Sequence, residues 1–490
     1  LNGSFCSIQN QSLSNNFHSF VNKKSLVILY VLFDFISASL SWVIFYIYRK
    51  IEVEPQVFGY DIPFELGIKF YTGLIAIPLF WLTLYYLAGT YRDVIVKSRL
   101  RELGQTFILV LIGVIILFFA LILDDVIQSY KDYYTSFFVL AGLQFILTYI
   151  PRITLTTIIS KKVQQGKIGY NTLMIGSNER AVEIYHDIEQ GQLLGVRIIG
   201  FINGDSTGEY KLEGLTSHLG SLEDVKQIIK DNDIEEVIIA LDMAEHESIS
   251  NIINTLGECN VRIKAVPDIH DIVTGKVKIT TIFGTPLIQI SHILLPIWQE
   301  NMKRSIDVLF STLAIILLSP LILFLIIGVK VSSKGPVLLR QERIGRYGKP
   351  FTLYKFRSMK TDAEKNGPEL SRVNDRRLTN FGKFMRKRKL DEIPNFWNVL
   401  KGEMSLVGPR PERKYFIDQI VQRAPHYIHL HKVKPGITSW GQVKYGYAVN
   451  VDEMIKRLKY DLLYIENMSL FVDFQIMIFT ILTLFRGRHI

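Results

Sequence analysis

A chain of 490 residues is too long for one hydrophobic core and predicts two or three units. Nearly half of it is hydrophobic (48%), gathered in long runs, and the net charge of +10 points to nucleic acid or to an anionic membrane surface with acidic substrates. Its two cysteines, Cys6 and Cys259, are far apart, which excludes a disulfide framework and a cysteine metal cluster.

The polar opening, residues 1–22, lacks the basic, apolar and cleavage segments of a signal peptide. Four apolar runs follow at 25–48, 70–91, 103–123 and 133–155, each long enough to cross a bilayer, and they predict a four-helix transmembrane bundle over 23–160. Flanking cations (Lys23, Lys24; Arg92, Lys97, Arg99, Arg101; Arg152, Lys161, Lys162) alternate with acidic loops (Glu52, Glu54, Asp61, Glu65; Asp124, Asp125, Asp132). The excess of positive charge on cytoplasmic loops places both ends of the bundle in the cytoplasm. Asp34, inside the first run, reads as a packing or hydrogen-bonding residue in preference to a functional acid.

A Lys-, Gln- and Gly-rich linker, 161–169, leads into a different texture over 170–296. Strands fit at 171–176, 196–202, 236–241 and 261–266, with helices near 178–190, 222–230 and 247–257, a Rossmann-like parallel α/β pattern. The first turn, GSNERA, has one glycine where a dinucleotide fingerprint has three, and no Tyr-x-x-x-Lys pair follows. Dehydrogenase or epimerase chemistry is therefore unsupported. Two readings stay open: a nucleotide at Gly176 and Ser177 on the helix N-terminus, or a ligand-free regulatory or dimer-forming domain.

Residues 303–334 form another apolar segment, basic at both ends and interrupted by Ser319-Pro320. Proline removes an amide donor and breaks or kinks the helix, and the serine hydroxyl can satisfy the freed backbone. A fifth crossing would export everything downstream, where the phosphate-handling residues lie, so a re-entrant membrane helix is predicted. From 335 to 490 the chain is polar and basic, with glycines at 335, 345 and 348 and the cations Arg343, Lys355 and Arg357 suited to an anion. Within 386–412, RKRKLDEIPNFWNVLKGEMSLVGPRPE, a basic run, adjacent carboxylates Asp391 and Glu392, and Arg410 locked between prolines bring together what phosphoryl chemistry requires. Each piece alone is commonplace. Their joint occurrence beside a membrane segment is not. A last apolar run, 469–485, carries Asp473 and reads as a helix lying along the interface.

GPVLLRQERIGRYGKPF, YKFRSM, LDEIPNFWNVLKGEMSLVGPRPE and VKPGITSWGQV together resemble the bacterial sugar transferase family, the monotopic phosphoglycosyl transferases, over about 303–485. With the preceding helices and Rossmann-like domain, the chain is similar to the large branch, the polyprenyl glycosylphosphotransferases of capsule, exopolysaccharide and O-antigen synthesis. The resemblance implies a mainly helical monotopic catalytic domain on the cytoplasmic face of the bacterial inner membrane. It would transfer a hexose 1-phosphate from a UDP-hexose to undecaprenyl phosphate, with UMP leaving. Asp391 is then the nucleophile that forms a phosphosugar-aspartate, and Glu392 its partner, the two holding Mg²⁺. Lys355 and Arg357 are expected near the donor phosphates or the metal, Arg386 on phosphate, Arg410 on phosphate or uridine, and Glu412 as a supporting carboxylate. Ser319 and Pro320 match the family's re-entrant break.

Many relatives have T-S-L-D-E where this chain has Arg388-Lys389-Leu390-Asp391-Glu392, which adds positive charge beside the nucleophile. They have T-G-W-A-Q-V-N where it has Thr438-Ser439-Trp440-Gly441-Gln442-Val443-Lys444, which leaves Lys444 without an assigned role. The partners expected are UDP-hexose, undecaprenyl phosphate and membrane lipid; nucleic acid is not expected, and a homodimer is left open. A catalytically silent membrane scaffold or regulator is the competing reading, and intact Asp391, Glu392, Lys355 and Arg410 argue against it.

Overall fold

The computed structural model describes residues 23–55, 66–95, 97–122, 130–191, 195–204, 210–241, 252–253, 255–257, 259–266, 287–289, 294–360, 363, 375–446 and 448–486. The expectations for the 1–22 tail, for Asp61, Glu65, Asp124 and Asp125, and for most of the 247–257 helix lie outside them. Contacts divide the chain into two units, one built on the N-terminal helices and one holding most of the sheet and the C-terminal region.

The first unit is built on α1 (Lys23–Tyr48), α2 (Ile68–Leu87), α3 (Arg99–Leu117) and α4 (Tyr130–Gln164). These supply four segments of 20 to 32 residues, long and apolar enough to cross a membrane. Ile28, Leu32, Ile75, Phe107 and Phe138 point outward, while Phe45, Trp81 and Tyr85 fill the interior. Gly113 lets the Trp81 ring lie directly on α3, where a Cβ would overlap it. Arg152 is not a flanking cation, as the loop-charge argument has it: it is fully buried within α4. Its Nε and Nη2 each donate to a carboxylate oxygen of Asp34 at 2.8 Å, and Tyr91 donates to the same carboxylate. Glu102 lies 3.5 Å from Arg152 and 2.9 Å from Lys97. The helices thus carry more charge than their sequence texture suggests, and Asp34 has the internal hydrogen-bonding role expected of it.

One sheet, most of it in the second unit, is made by β1 (Tyr170–Ile175), β2 (Val196–Ile202), β3 (His218–Gly220), β4 (Glu236–Ile239), β5 (Arg262–Ala265) and β6 (Ile288–Gln289) in the order 3-2-1-4-5-6, the Rossmann arrangement. The pairs β1–β4, β4–β5 and β2–β3 are parallel, whereas β6 is antiparallel. The helices α5 (Glu179–Glu189) and α6 (Val225–Asp231) accompany it. β3 and β6, three and two residues long, are too short to leave a period in the sequence. At the first turn, Ser177 accepts the amide of Lys211 on its carbonyl and that of Leu212 on its hydroxyl, so the chain at 211–212 is bonded to the turn where a nucleotide is one of the open readings.

Two membrane-type helices, α7 (Ile297–Leu317) and α8 (Ser319–Ser332), meet at a 63° bend. The Ser319 hydroxyl donates to the Ile316 carbonyl at 2.7 Å and Pro320 opens α8, where its missing amide costs nothing. The helix starts at Ile297, before the expected 303, because Lys303 and Arg304 face the protein. Lys303 pairs with Asp473 at 2.6 Å, and Arg304 donates to the Val399 and Leu400 carbonyls. Beyond come the hairpin β7 (Leu338–Ile344)–β8 (Pro350–Phe356), then α9 (Asn380–Lys387) and α10 (Asn395–Lys401). The parallel pair β9 (Ser405–Val407)–β10 (Gly436–Thr438) frames α11 (Lys414–Arg423), and α12 (Trp440–Lys444), α13 (Val451–Glu466) and α14 (Leu470–Arg486) close the chain. α14 exposes Phe471, Ile478, Ile481 and Leu482, and Asp473 on its inner side accepts from Tyr464 as well as Lys303.

Candidate active site

Local chemistry fixes the carboxylate pair. Thr379 caps α9, its hydroxyl accepting the Gly382 amide at 2.9 Å. Gly382 sits so close to the Ser358 carbonyl that no Cβ would fit, which seats α9 against the end of β8. Arg386, in the last turn of α9, then donates from Nε to the Ser358 hydroxyl at 2.9 Å. Lys389 takes a left-handed conformation (φ 57°, ψ 21°), stops the helix and turns the chain into a single 3₁₀ turn, Leu390–Glu392. Leu390 and Ile393 pack into an apolar cluster with Leu325, Val329, Phe356 and Met385, which anchors the turn on both sides of the dyad.

The two carboxylates differ. Glu392 Oε1 accepts from Lys355 Nζ at 2.7 Å and from Arg410 Nη2 at 3.4 Å. Asp391 is buried, makes no hydrogen bond among the described residues, and has Arg386 Nε at 4.0 Å from Oδ2 as its salt-bridge partner. Burial, and then the charge of Glu392, push the Asp391 carboxyl upward against the pull of Lys355, Arg386 and Lys389. Burial acts in the same sense on Glu392, but Lys355, Arg410 and Lys389 outweigh it and hold that group well below the usual carboxylate range. Burial also lowers Lys355, and it brings Lys389 down to about 8 although Glu392 opposes it. Four cations around two carboxylates leave the site positive, ready for an anionic substrate. Two neighbouring acids driven apart by their surroundings are a signature of divided chemical roles.

The supports reach further than the motifs. Asn398, fully buried in α10, accepts the Tyr354 amide and donates to the Thr352 carbonyl, which fixes β8 and hence Lys355 beside the dyad. Gly408 and Gly436 meet backbone to backbone, with the Gly436 amide donating to the Pro409 carbonyl, so a side chain at either position would separate the turns that present Arg410. Glu412 does not reach the dyad: it accepts from Arg343 at 3.2 Å and from Arg457 at 2.8 Å. Burial would raise its carboxyl, and Arg457 and Arg343 hold it below normal, so it is a structural ion-pair centre behind the Pro409–Pro411 turn. Burial draws Arg343 down to about 10.

Lys355, Arg386 and Arg410 therefore converge on Asp391 and Glu392 as the motifs suggest. Arg357 does not join them: its Nη2 donates to the Ser333 carbonyl (2.8 Å) and hydroxyl (3.0 Å) at the end of α8. Ser358, Lys389, Asn398 and Arg457 carry positioning roles that the sequence did not assign; for Ser358 the signal was its place in KFRSM. Lys444 lies over the rings of Trp440 (5.3 Å) and Phe479 (5.8 Å), joining α12 to α14. Among the described residues no group of three or more His, Cys, Asp or Glu is arranged to hold a metal. Asp391 and Glu392 alone suit a Mg²⁺ that takes its remaining ligands from water and substrate phosphate, the usual mode for that ion.

Comparison with known proteins adds to this geometry. Residues 298–487 match the family described as bacterial sugar transferase, and residues 86–267 match a CoA-binding domain family. A UDP-N-acetylgalactosamine-undecaprenyl-phosphate N-acetylgalactosaminephosphotransferase of Aeromonas hydrophila is 39% identical over 46% of this chain and 53% of its own length, so the chain spans about half of that relative. The UDP-glucose:undecaprenyl-phosphate glucose-1-phosphate transferase of Klebsiella pneumoniae is 33% identical over 66% of this chain and 69% of its own. Its namesake in Escherichia coli strain K12 is 32% identical over 64% and 68%.

Proposed function

The chain belongs to the bacterial sugar transferase family, and we propose that it transfers a hexose 1-phosphate from a UDP-sugar to undecaprenyl phosphate, releasing UMP. The observation that carries this is the split dyad, a buried Asp391 with no hydrogen bond among the described residues beside a Glu392 clamped by Lys355 and Arg410. An aspartate whose oxygens are not engaged can attack. A glutamate that gathers two cations can hold them where phosphate charge arrives.

In the first step an Asp391 carboxylate oxygen attacks the sugar-side phosphorus of the donor. The bond from that phosphorus to the bridging oxygen breaks, and its electron pair leaves with UMP. In the second, an oxygen of the lipid phosphate attacks the same phosphorus, the bond to Asp391 breaks, and the carboxylate returns as the lipid-diphospho-sugar forms. Two steps let two anions use one site in turn. Lys355, Arg386 and Arg410 offset their charge, Lys389 adds to the local positive field, and Glu412 holds the Arg410 turn through Arg343 and Arg457. Arg357, bonded to Ser333, stands outside this set of donor contacts. Mg²⁺ held by Asp391 and Glu392 would supply Lewis-acid neutralisation of the diphosphate.

The same reading makes α1 to α4 a transmembrane bundle and α7–α8 a re-entrant hairpin broken at Ser319-Pro320, with the dyad on the cytoplasmic face of the inner membrane. The 63° bend and the two cations turned into the protein at 303 and 304 support it. The reaction would be the first membrane step in making a capsule, exopolysaccharide or O-antigen.

The test is UMP release by the full-length protein in membranes, with Mg²⁺, undecaprenyl phosphate and a panel of UDP-hexoses. One donor should be turned over, and Asp391→Asn should abolish turnover while leaving a folded protein. Full turnover by that variant would remove the proposed nucleophile. No UMP from any donor would favour the scaffold reading.

A further inference from the structure

Arg357 is the buried cation that the dyad does not use. It is 6% exposed, its Nη2 is bonded to Ser333, and its Nε and Nη1 have no hydrogen-bond partner among the described residues. Buried guanidinium donors without partners are costly, because the group has given up water and gained nothing in its place. A buried positive charge that keeps open donors is suited to an anion from outside the fold.

Its position says which anion. The ladder of the β7–β8 hairpin pairs Leu338 with Phe356 and continues one step further, the Arg357 amide donating to the Val337 carbonyl at 2.9 Å. Side chains two apart on a strand share a face, so Lys355 and Arg357 lie on one side of the ribbon, about 7 Å apart along it. Lys355 is the end at the dyad, bonded to Glu392; Arg357 is the end at the membrane helix, bonded to the residue that follows α8. The next residue, Ser358, holds Arg386 against Asp391. Arg357 thus stands in the chain between the dyad's cations and the end of a membrane-embedded helix. A water-soluble donor has no need of a contact there, whereas a phosphate carried on a lipid tail comes in along that helix.

Resting on the transferase reading, we propose that Arg357 receives the phosphate of the polyprenyl acceptor, at a subsite apart from the one that Lys355 and Arg410 form for the donor. Ser333 orients the guanidinium from behind, so it is a positioning residue for the acceptor.

The two half-reactions separate this role from a structural one. With the full chain in phosphatidylcholine vesicles, UMP released without acceptor reports attack by Asp391, and product formed on adding undecaprenyl phosphate reports the second step. Arg357→Lys and Arg357→Gln should keep the UMP burst within about twofold and raise the acceptor KM about 10- to 100-fold, the scale of one charge-assisted contact. Ser333→Ala should raise it by less, and the burst itself shows that each variant is folded. Where Arg357→Gln does not fold, Arg357→Lys decides the matter, since it keeps the charge and loses the planar fork. An unchanged acceptor KM would overturn the proposal. So would loss of the burst in a variant with a normal thermal midpoint, which would assign Arg357 to the donor. A defect present only when phosphatidylglycerol is added would assign it to a phospholipid headgroup and overturn the proposal as well. Absence of a burst in the unaltered protein would count against the transferase mechanism itself.

Discussion

Buried charge is handled in two ways in this chain. In the helices of the first unit, both oxygens of Asp34 are taken by Arg152, a tyrosine hydroxyl adds a third bond, and Glu102 is matched by Lys97 and Arg152. Around the dyad, Glu392 is matched twice, while Asp391, beside it, is buried with no hydrogen bond among the described residues and with Arg386 at 4.0 Å. Closed geometry holds helices together where water is excluded. Open geometry leaves a carboxylate able to react. Between Asp34 and Asp391 the distinction lies in whether the hydrogen bonds are completed, not in how much charge is buried.

The sharpest way to break that contrast is to neutralise one charged residue in each cluster's key pair. Asp391→Asn should cut UMP release by at least about 10³-fold, as loss of a nucleophile does, with the thermal midpoint unchanged or raised. A comparable loss of stability would mean that Asp391 is matched after all. Arg152→Met should do the reverse. It leaves Asp34 buried without its main countercharge and Glu102 with Lys97 alone, and should cost about 3–5 kcal/mol, read as a lowered midpoint in thermal unfolding, with turnover per folded molecule retained. If turnover fell while stability held, the helical cluster would have to be counted among the functional ones.

Arg386 sharpens the comparison through pH. Burial and Glu392 raise the Asp391 carboxyl, and Lys355, Arg386 and Lys389 pull it down. On the proposed mechanism Asp391 must be ionised to attack, so activity should fall on the acid side as it takes up a proton. Arg386→Gln removes one lowering charge, so the acid limb of the pH–rate profile should move to higher pH, with turnover at neutral pH down about tenfold from lost phosphate contact. An acid limb that stays in place would show that Arg386 serves phosphate alone.

How much of this could be read from the sequence depended on the distance between partners. The dyad, Arg386 and Arg410 lie within one short stretch, and the Pro409-Arg410-Pro411 turn is announced by its residues, whereas the left-handed turn at Lys389, where glycine would be the signal, is not. The parallel sheet was legible because β1, β2, β4 and β5 leave apolar runs, whereas β3 and β6 are too short to do so. Arg152 was misplaced because its partner Asp34 is 118 positions away and a cation near the end of an apolar run looks like a flank. Glu412 was legible as a supporting carboxylate from its place beside Arg410, but the residue that it bonds, Arg457, is 45 positions on and carries no local signal. Arg357 sits in the same motif as Lys355; only the three-dimensional path of α8 reveals that it faces Ser333.

Lys389 gives the smallest effect and the clearest mixture of the two designs. A lysine at φ 57° is strained by roughly 1–2 kcal/mol relative to an ordinary backbone, because Cβ crowds the following carbonyl. A structural cluster would have no reason to keep a side chain there, since glycine takes that conformation freely. Lys389→Gly should therefore raise stability, by no more than about 1 kcal/mol once the greater freedom of glycine in the unfolded chain is allowed for. It should also lower turnover a few-fold, because a cation beside the dyad is lost. A variant that gains stability at no cost in turnover would show that the left-handed backbone alone matters, and that the ammonium is incidental to the chemistry.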